Sequence, residues 1–320
     1  MTGERPPASK NGATAASNGE SFNSGIISIT GRPNVGKSTL LNRIVGQKIS
    51  IVTPRPQTTR NRILAVKNLP HAQLVFLDTP GIHKPKHRLG EIILRTAVES
   101  IREVDVVLLV VEPRKPDEED FSIIETVKTA GKTAFLVINK VDSVGKGVRP
   151  LASKAELLPI IDEYSRAFGF AEIVPISALN GDGVNDLVAL CARYMPQGPK
   201  YYPDDIVTDR MERFMASEIV REKLMIHTFE EIPHSLAVEV AAWDERKDGM
   251  IIIEANIYIE KMSQKGIIIG SGGKMLKQVG TEARKDIEGL LNTRVHLKLF
   301  VKVRKDWRKN ERILKELGYV

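Results

Sequence analysis

The chain has 320 residues, a formal net charge of +7, 42% hydrophobic and 27% charged residues, and a single cysteine, Cys191. Domains usually run to roughly 100 to 200 residues, so this length predicts two of them, and the near-average composition excludes a chain that cannot build a core. One cysteine excludes an internal disulfide framework, and no apolar run approaches the ~20 residues of a membrane span, so a cytosolic protein is expected.

Residues 1–24 are rich in Ser, Asn, Gly, Ala and Pro and carry hardly any large apolar side chain, which predicts a disordered tail. In residues 25–195, short β-branched runs at 26–29, 74–77, 104–111, 135–138 and 173–176 alternate with longer mixed segments. Strands separated by helix-length crossovers predict an α/β domain with a mostly parallel sheet, whose ligands bind beyond the carboxyl ends of the strands. The stretch P-Q-G-P-K-Y-Y-P-D-D within 196–207 reads as a linker.

Residues 208–320 form the second expected domain. Thr208 or Asp209 is expected to cap a helix reaching about His227, followed by strands at 236–243 and 250–259 around the turn D-E-R-K-D-G. After a glycine cluster, Leu276, Val279, Ala283, Ile287 and Leu290 recur at helical spacing, and from Val295 to Val303 alternation with His296, Lys298, Phe300 and Lys302 predicts a half-buried strand.

Chemistry is carried first by G-R-P-N-V-G-K-S at Gly31, directly after the first strand: a phosphate-binding P-loop. Gly31, Asn34, Val35, Gly36, Lys37, Ser38 and Thr39 are its candidate nucleotide contacts. Small residues let backbone amides face phosphate oxygens at a helix N-terminus, Lys37 reaches the β and γ phosphates, and the Ser38 hydroxyl ligates Mg²⁺. D-T-P-G follows at Asp78, placing Asp78 to hold Mg²⁺ through water and the Gly81 amide to sense the γ phosphate.

N-K-V-D at Asn139 decides the base, because the Asp142 carboxylate accepts from guanine N1–H and the exocyclic amine, where adenine presents acceptors. Lys140 covers the ring with its stem, Asn139 ties this loop to the P-loop, and Ser177, Ala178 and Leu179 supply the contact near guanine O6. In P-R-P-Q-T-T-R at Pro54, a threonine is expected to complete Mg²⁺ coordination; Thr59 is the first choice and Thr58 the reserve.

Together these residues resemble the translation-factor class of GTPases, and specifically the Era family of bacterial GTPases with a C-terminal KH domain. The resemblance covers nearly all of residues 25–320 and extends to P-Q-T-T-R at Pro56, R-F-M-A-S-E-I-V-R-E-K-L-M at Arg213 and E-A-R-K-D at Glu282. It implies a smaller α+β KH domain of type II, binding to the 3′ end of 16S rRNA, a role in 30S subunit assembly, and a monomer. A peripheral contact with the inner face of the membrane is a separate expectation, resting on a basic C-terminal tail that could touch anionic lipid. Ile82 stands where many relatives carry a water-orienting glutamine, which predicts slow intrinsic turnover. The resemblance also suggests K⁺ held near Asn34, so Lys37, Thr59 and Asn34 are the candidate catalytic set; a purely supporting Asn34 stays equally open. His83 and His87 are expected to be solvated loop residues.

Gly270, Ser271, Gly272 and Gly273 match the G-x-x-G turn with which KH domains clamp a single strand, flanked by Lys274 and Lys277. Family members often place a basic residue where Gly272 stands. Arg294, Lys298, Lys302, Arg304, Lys305, Arg308, Lys309 and Arg312 fill the tail, with few acids expected to oppose them. They read as a phosphate-tracking groove or as a solvated face. Two rival functions remain: a GTPase acting at the membrane surface, and an ATP-using kinase on the same scaffold.

Overall fold

The computed structural model describes residues 22–83, 85, 87–142, 154–209 and 211–319. The expected N-terminal tail lies outside the described residues through position 21, whereas Asn23 and Ser24 already belong to the first strand.

The first half runs β1 (Asn23–Gly31), α1 (Lys37–Val45), β2 (Ile63–Leu69), β3 (Ala72–Asp78), α2 (Arg88–Arg102), β4 (Val106–Val111), α3 (Glu118–Ala130), β5 (Thr133–Ile138), α4 (Leu158–Ala167), β6 (Glu172–Pro175) and α5 (Val184–Tyr194). These strands make a six-stranded sheet in the order β2-β3-β1-β4-β5-β6. Its neighbours are parallel except for the β2–β3 hairpin. Strand β2 carries no clear sequence signature: it lies at the sheet edge, its Val66–Leu69 end mixes polar with apolar residues, and only the hairpin with β3 fixes it. Apolar clusters fill both faces, with Ile27, Leu40 and Val137 on one and Val107, Ile123 and Leu136 on the other, so the central strands read as continuous apolar runs. Cys191 packs in the first cluster, where burial pushes its thiol up to about 12.

The second half runs α6 (Glu212–His227), α7 (Ile232–Ser235), β7 (Ala237–Glu245), β8 (Ile251–Ile259), α8 (Met262–Ile269), α9 (Lys274–Leu291), β9 (Val295–Val303) and α10 (Glu311–Glu316). Strand β8 pairs antiparallel with β7 and parallel with β9. Helices α6 and α9 cover one face through Ile219, Leu224, Val279 and Ile287.

One expectation is corrected, and one helix had no counterpart among the expected elements. Thr208 does not cap α6: its hydroxyl donates to the Leu64 carbonyl at 2.7 Å and the Val207 carbonyl accepts from Val66 N, so this segment is tied to β2 and the helix begins at Glu212. The apolar run before the glycine turn is the end of helix α8, with Ile268 buried and Ile267 56% exposed. Among the described residues no helix is long and apolar enough to cross a membrane.

Candidate nucleotide site and RNA-facing surface

The end of β1 turns sharply into the P-loop. Gly31 (φ 141°) and Gly36 (φ 100°) adopt backbone that disfavours side chains, and a Cβ on Gly36 would lie 2.2 Å from Asn139 Nδ2. Across the loop, a Cβ on Gly81 would lie 2.7 Å from Pro33 N, so D-T-P-G approaches the P-loop with no room for a side chain. A cavity of about 420 Å³ opens here, lined among others by Lys37, Ser38, Thr59, Gly81 and Lys140.

Buried Lys37 donates from Nζ to the carbonyls of Gly31 at 3.1 Å and Arg32 at 2.6 Å. Burial lowers its ammonium to about 8, against the opposing pull of the Asp78 charge. Asp78 is fully buried and its carboxyl is pushed up by that burial, opposed by hydrogen bonds from Ser38, Ser50 and Thr59 and by the Lys37 charge. Its Oδ2 accepts from Ser38 Oγ at 2.7 Å and from Ser50 Oγ at 2.9 Å, with Thr59 Oγ1 at 3.4 Å, and the Ser38 and Thr59 hydroxyls are 2.9 Å apart. Its Oδ1 is buried with no hydrogen-bond partner. An orphaned carboxylate oxygen amid converging hydroxyls is a donor set of hard oxygens, which fits Mg²⁺.

Of the two threonines, Thr59 reaches this cluster, whereas the Thr58 hydroxyl closes a local turn by donating to the Arg55 carbonyl at 2.7 Å. Ser50 had no signature in the sequence, because only the fold of the loop after α1 brings it to Asp78.

On the base side, the Asn139 amide donates to the Val35 carbonyl at 2.8 Å and its Oδ1 accepts from Ala178 N at 2.9 Å. Ser177 Oγ donates to Asp142 Oδ1 at 2.6 Å, and Lys140 Nζ donates to the Asn34 carbonyl at 2.7 Å. Arg43 of α1 reaches the carbonyls of Ala178 and Leu179, a contact without a sequence signature. Asn34 itself adopts φ 65° and donates from Nδ2 to the Pro54 carbonyl at 3.0 Å.

The histidines of the next segment are engaged rather than solvated. His83 contacts Gln57 Nε2 at 2.7 Å, and His87 caps α2 by accepting from Gly90 N at 3.2 Å. Burial, with help from the Arg308 charge, lowers the His87 imidazole. Ile82 packs its side chain into the core and donates its amide to the Gly31 carbonyl at 3.2 Å.

In the second half, α8 and α9 flank Gly270–Gly273. Gly270 (φ 72°), Gly272 (φ 58°) and Gly273 (φ 77°) sit in left-handed backbone, and at Gly270 a Cβ would also meet Met275 Cβ at 2.7 Å. Lys274 and Lys277 are exposed on the first turn of α9. The basic tail differs from expectation, because acids do oppose it. Arg304 pairs with Glu316 at 2.6 Å, Arg312 with Glu316 at 3.3 Å, Arg308 with Glu260 at 2.5 Å and Lys298 with Glu254 at 2.9 Å. The tail folds back through α10, which sequence distance concealed.

Fold and site together define a P-loop GTPase carrying a KH domain. Residues 26–140 match the family described as 50S ribosome-binding GTPase, and residues 231–308 match the KH domain family. The chain is 54% identical over 300 residues to GTPase Era of Geobacter metallireducens, covering 93% of this chain and 98% of that protein. It is 50% identical to GTPase Era of Syntrophus aciditrophicus, covering 93% and 95%. Among solved structures, a variant of Aquifex aeolicus Era bound to GDP and aluminium fluoride superposes with a TM-score of 0.89 at 40% identity, covering 93% of this chain and all of that one. Era in complex with MgGDPNP and nucleotides 1506–1542 of 16S rRNA also gives 0.89, at 39% identity, covering 93% and 99%. The chain belongs to the Era family of GTPases.

Proposed function

We propose that this chain is a GTP-driven switch that binds the 3′ region of 16S rRNA through its KH domain and acts in assembly of the 30S subunit. The observation that carries the switch is the convergence of Ser38, Thr59 and Asp78 within hydrogen-bond distance beside the P-loop lysine. The RNA target is supported by the related Era complex with nucleotides 1506–1542 of 16S rRNA, and by Lys274 and Lys277 beside an open glycine turn.

GTP enters with its phosphates against the amides of Asn34, Val35, Gly36, Lys37, Ser38 and Thr39. Lys37 turns its ammonium to the β and γ phosphates, Gly81 N–H meets the γ phosphate, and Asp142 selects guanine with Asn139 and the Ser177–Leu179 loop holding it. Mg²⁺, held by Ser38 and Thr59 and by Asp78 through water, neutralises phosphate charge as the γ-phosphoryl leaves. Water is the nucleophile, and the buried Ile82 offers it no hydrogen-bonding side chain, so the chain's own turnover is slow. Loss of the γ phosphate removes one tether of the Thr59 loop, coupling hydrolysis to shape.

Asn34 admits a finer role. If K⁺ supplements Lys37, exchanging Na⁺ for K⁺ at fixed ionic strength raises the hydrolysis rate in the parent and not in Asn34→Ala. An equal rate in both salts leaves Asn34 as the tether to Pro54.

The switch itself is tested by titrating a 16S 3′-terminal RNA into the protein loaded with GDP or with a non-hydrolysable GTP analogue. Tighter binding with the analogue is expected. Equal affinity removes the switch and leaves a GTPase with an RNA-binding domain.

A further inference from the structure

The switch threonine is held from the KH side of the molecule. Thr59 (6% exposed) lies between two residues, Thr58 and Arg60, that are each fastened to the second half. On one side Arg221 of α6, 1% exposed, donates from its guanidinium to the Thr58 carbonyl, and is oriented by Glu218, whose Oε1 accepts from Arg221 Nε at 2.7 Å. On the other, Arg60 (4% exposed) donates to the carbonyls of Leu236 at 2.7 Å, His234 at 3.2 Å and Pro233 at 3.4 Å, and lies 5.8 Å over the Trp307 ring. The next helix residue, Glu222, accepts from Val52 N at 3.0 Å, fixing the start of the same loop.

We infer that Arg221 is a positioning residue for Thr59, and that α6 thereby sets how well the site discriminates GTP from GDP. The inference rests on the role assigned to Thr59 above. The physical reason is that both tethers are buried. Moving Thr59 away from Ser38 while α6 stays in place would strip a guanidinium of its carbonyl partner or leave carbonyls unpaired away from water, and each such loss is unfavourable. The hydroxyl is therefore pre-set near Ser38 before any γ phosphate arrives. A ligand that uses Thr59 gains from this pre-setting, and a diphosphate that does not use it gains nothing.

Removing Arg221 alone would strand Glu218, so both charges are withdrawn together in Arg221→Gln/Glu218→Gln. Dissociation constants for Mg-GDP and for a Mg-bound non-hydrolysable GTP analogue are measured in the parent and in Thr59→Ala. The expected result is a roughly tenfold loss of analogue affinity, the size of one hydrogen bond from a charged donor, with GDP affinity within about twofold. In the Thr59→Ala background the same pair of substitutions changes neither constant. An unchanged analogue-to-GDP ratio in the pair variant, while Thr59→Ala alone lowers it, overturns the inference. An unchanged ratio in Thr59→Ala instead overturns the assignment of Thr59 itself. Should thermal unfolding show the pair variant to be unfolded, Arg221→Lys replaces it with the same two outcomes, since it keeps a cation against Glu218 but cannot fork to Thr58.

Discussion

The side-chain amide of Asn139 donates to the Val35 carbonyl at 2.8 Å, so the loop that reads the base is fastened directly to the loop that cradles the phosphates. The same side chain accepts from Ala178 N, making one buried residue the junction of three loops. Asn139→Ala removes both bonds and leaves a buried donor unpaired, a loss of about 2 kcal/mol, or roughly thirtyfold in affinity. Calorimetry should find this weakening for GDP and GTP analogues alike, with preference for guanine over adenine intact.

Asp142 should behave in the opposite way. Its carboxylate, oriented by the Ser177 hydroxyl at 2.6 Å, presents two acceptor oxygens where guanine presents donors. Asp142→Asn puts an N–H against one of those donors, so guanine affinity falls by on the order of hundredfold while the fold, judged by thermal unfolding, stays intact. Xanthine presents an oxygen where guanine has its amine, and xanthine nucleotides should gain affinity. Equal binding of ATP and GTP by the parent would instead return the ATP-using alternative.

Much of this site was legible because its motifs are local. Gly31 to Ser38, Asp78 to Gly81 and Asn139 to Asp142 each follow a buried strand, and a parallel sheet delivers the ends of its central strands to one edge. What escaped was set by tertiary contact. Strand β2 needed its hairpin partner, and helix α8 hid in an apolar run too short for periodicity to separate from a strand. Ser50 on Asp78 and Arg221 on Thr58 join positions far apart in the chain, with no pattern at either end. The basic tail misled for the same reason, since Glu254 and Glu260 lie on or just after β8, remote in sequence from Lys298 and Arg308.

Lys37 gives the site a pH signature. Burial lowers its ammonium from 10.5 to about 8, so between those values the folded chain holds fewer protons than the unfolded one. This group's contribution to stability therefore rises with pH across that window, while below about 8 the buried cation is fully charged and its desolvation opposes folding. Nucleotide phosphates favour the charged form, so binding at about pH 9 takes up a proton and GDP affinity declines as pH rises past about 8. Titrations at that pH in buffers of different ionisation enthalpy measure the uptake directly, and Lys37→Met should abolish it.

The ion pairs of the tail make a prediction about RNA that composition alone would have reversed. Every basic residue counts equally toward a net charge of +7, yet Arg304 and Arg312 share Glu316, and Arg308 is paired with Glu260. A guanidinium already matched by a carboxylate releases little condensed counterion from RNA, whereas the exposed Lys274 and Lys277 stand beside the glycine turn at the start of α9. Each phosphate neutralised on a single strand contributes a slope of about −0.7 to log K against log salt. Lys274→Ala/Lys277→Ala should thus flatten that slope by roughly 1.4 for a single-stranded 3′-terminal RNA, and Arg304→Ala should leave it within about 0.3 of the parent. A larger change from Arg304→Ala than from the lysine pair would move the RNA path off the glycine turn and onto the outer face of the tail.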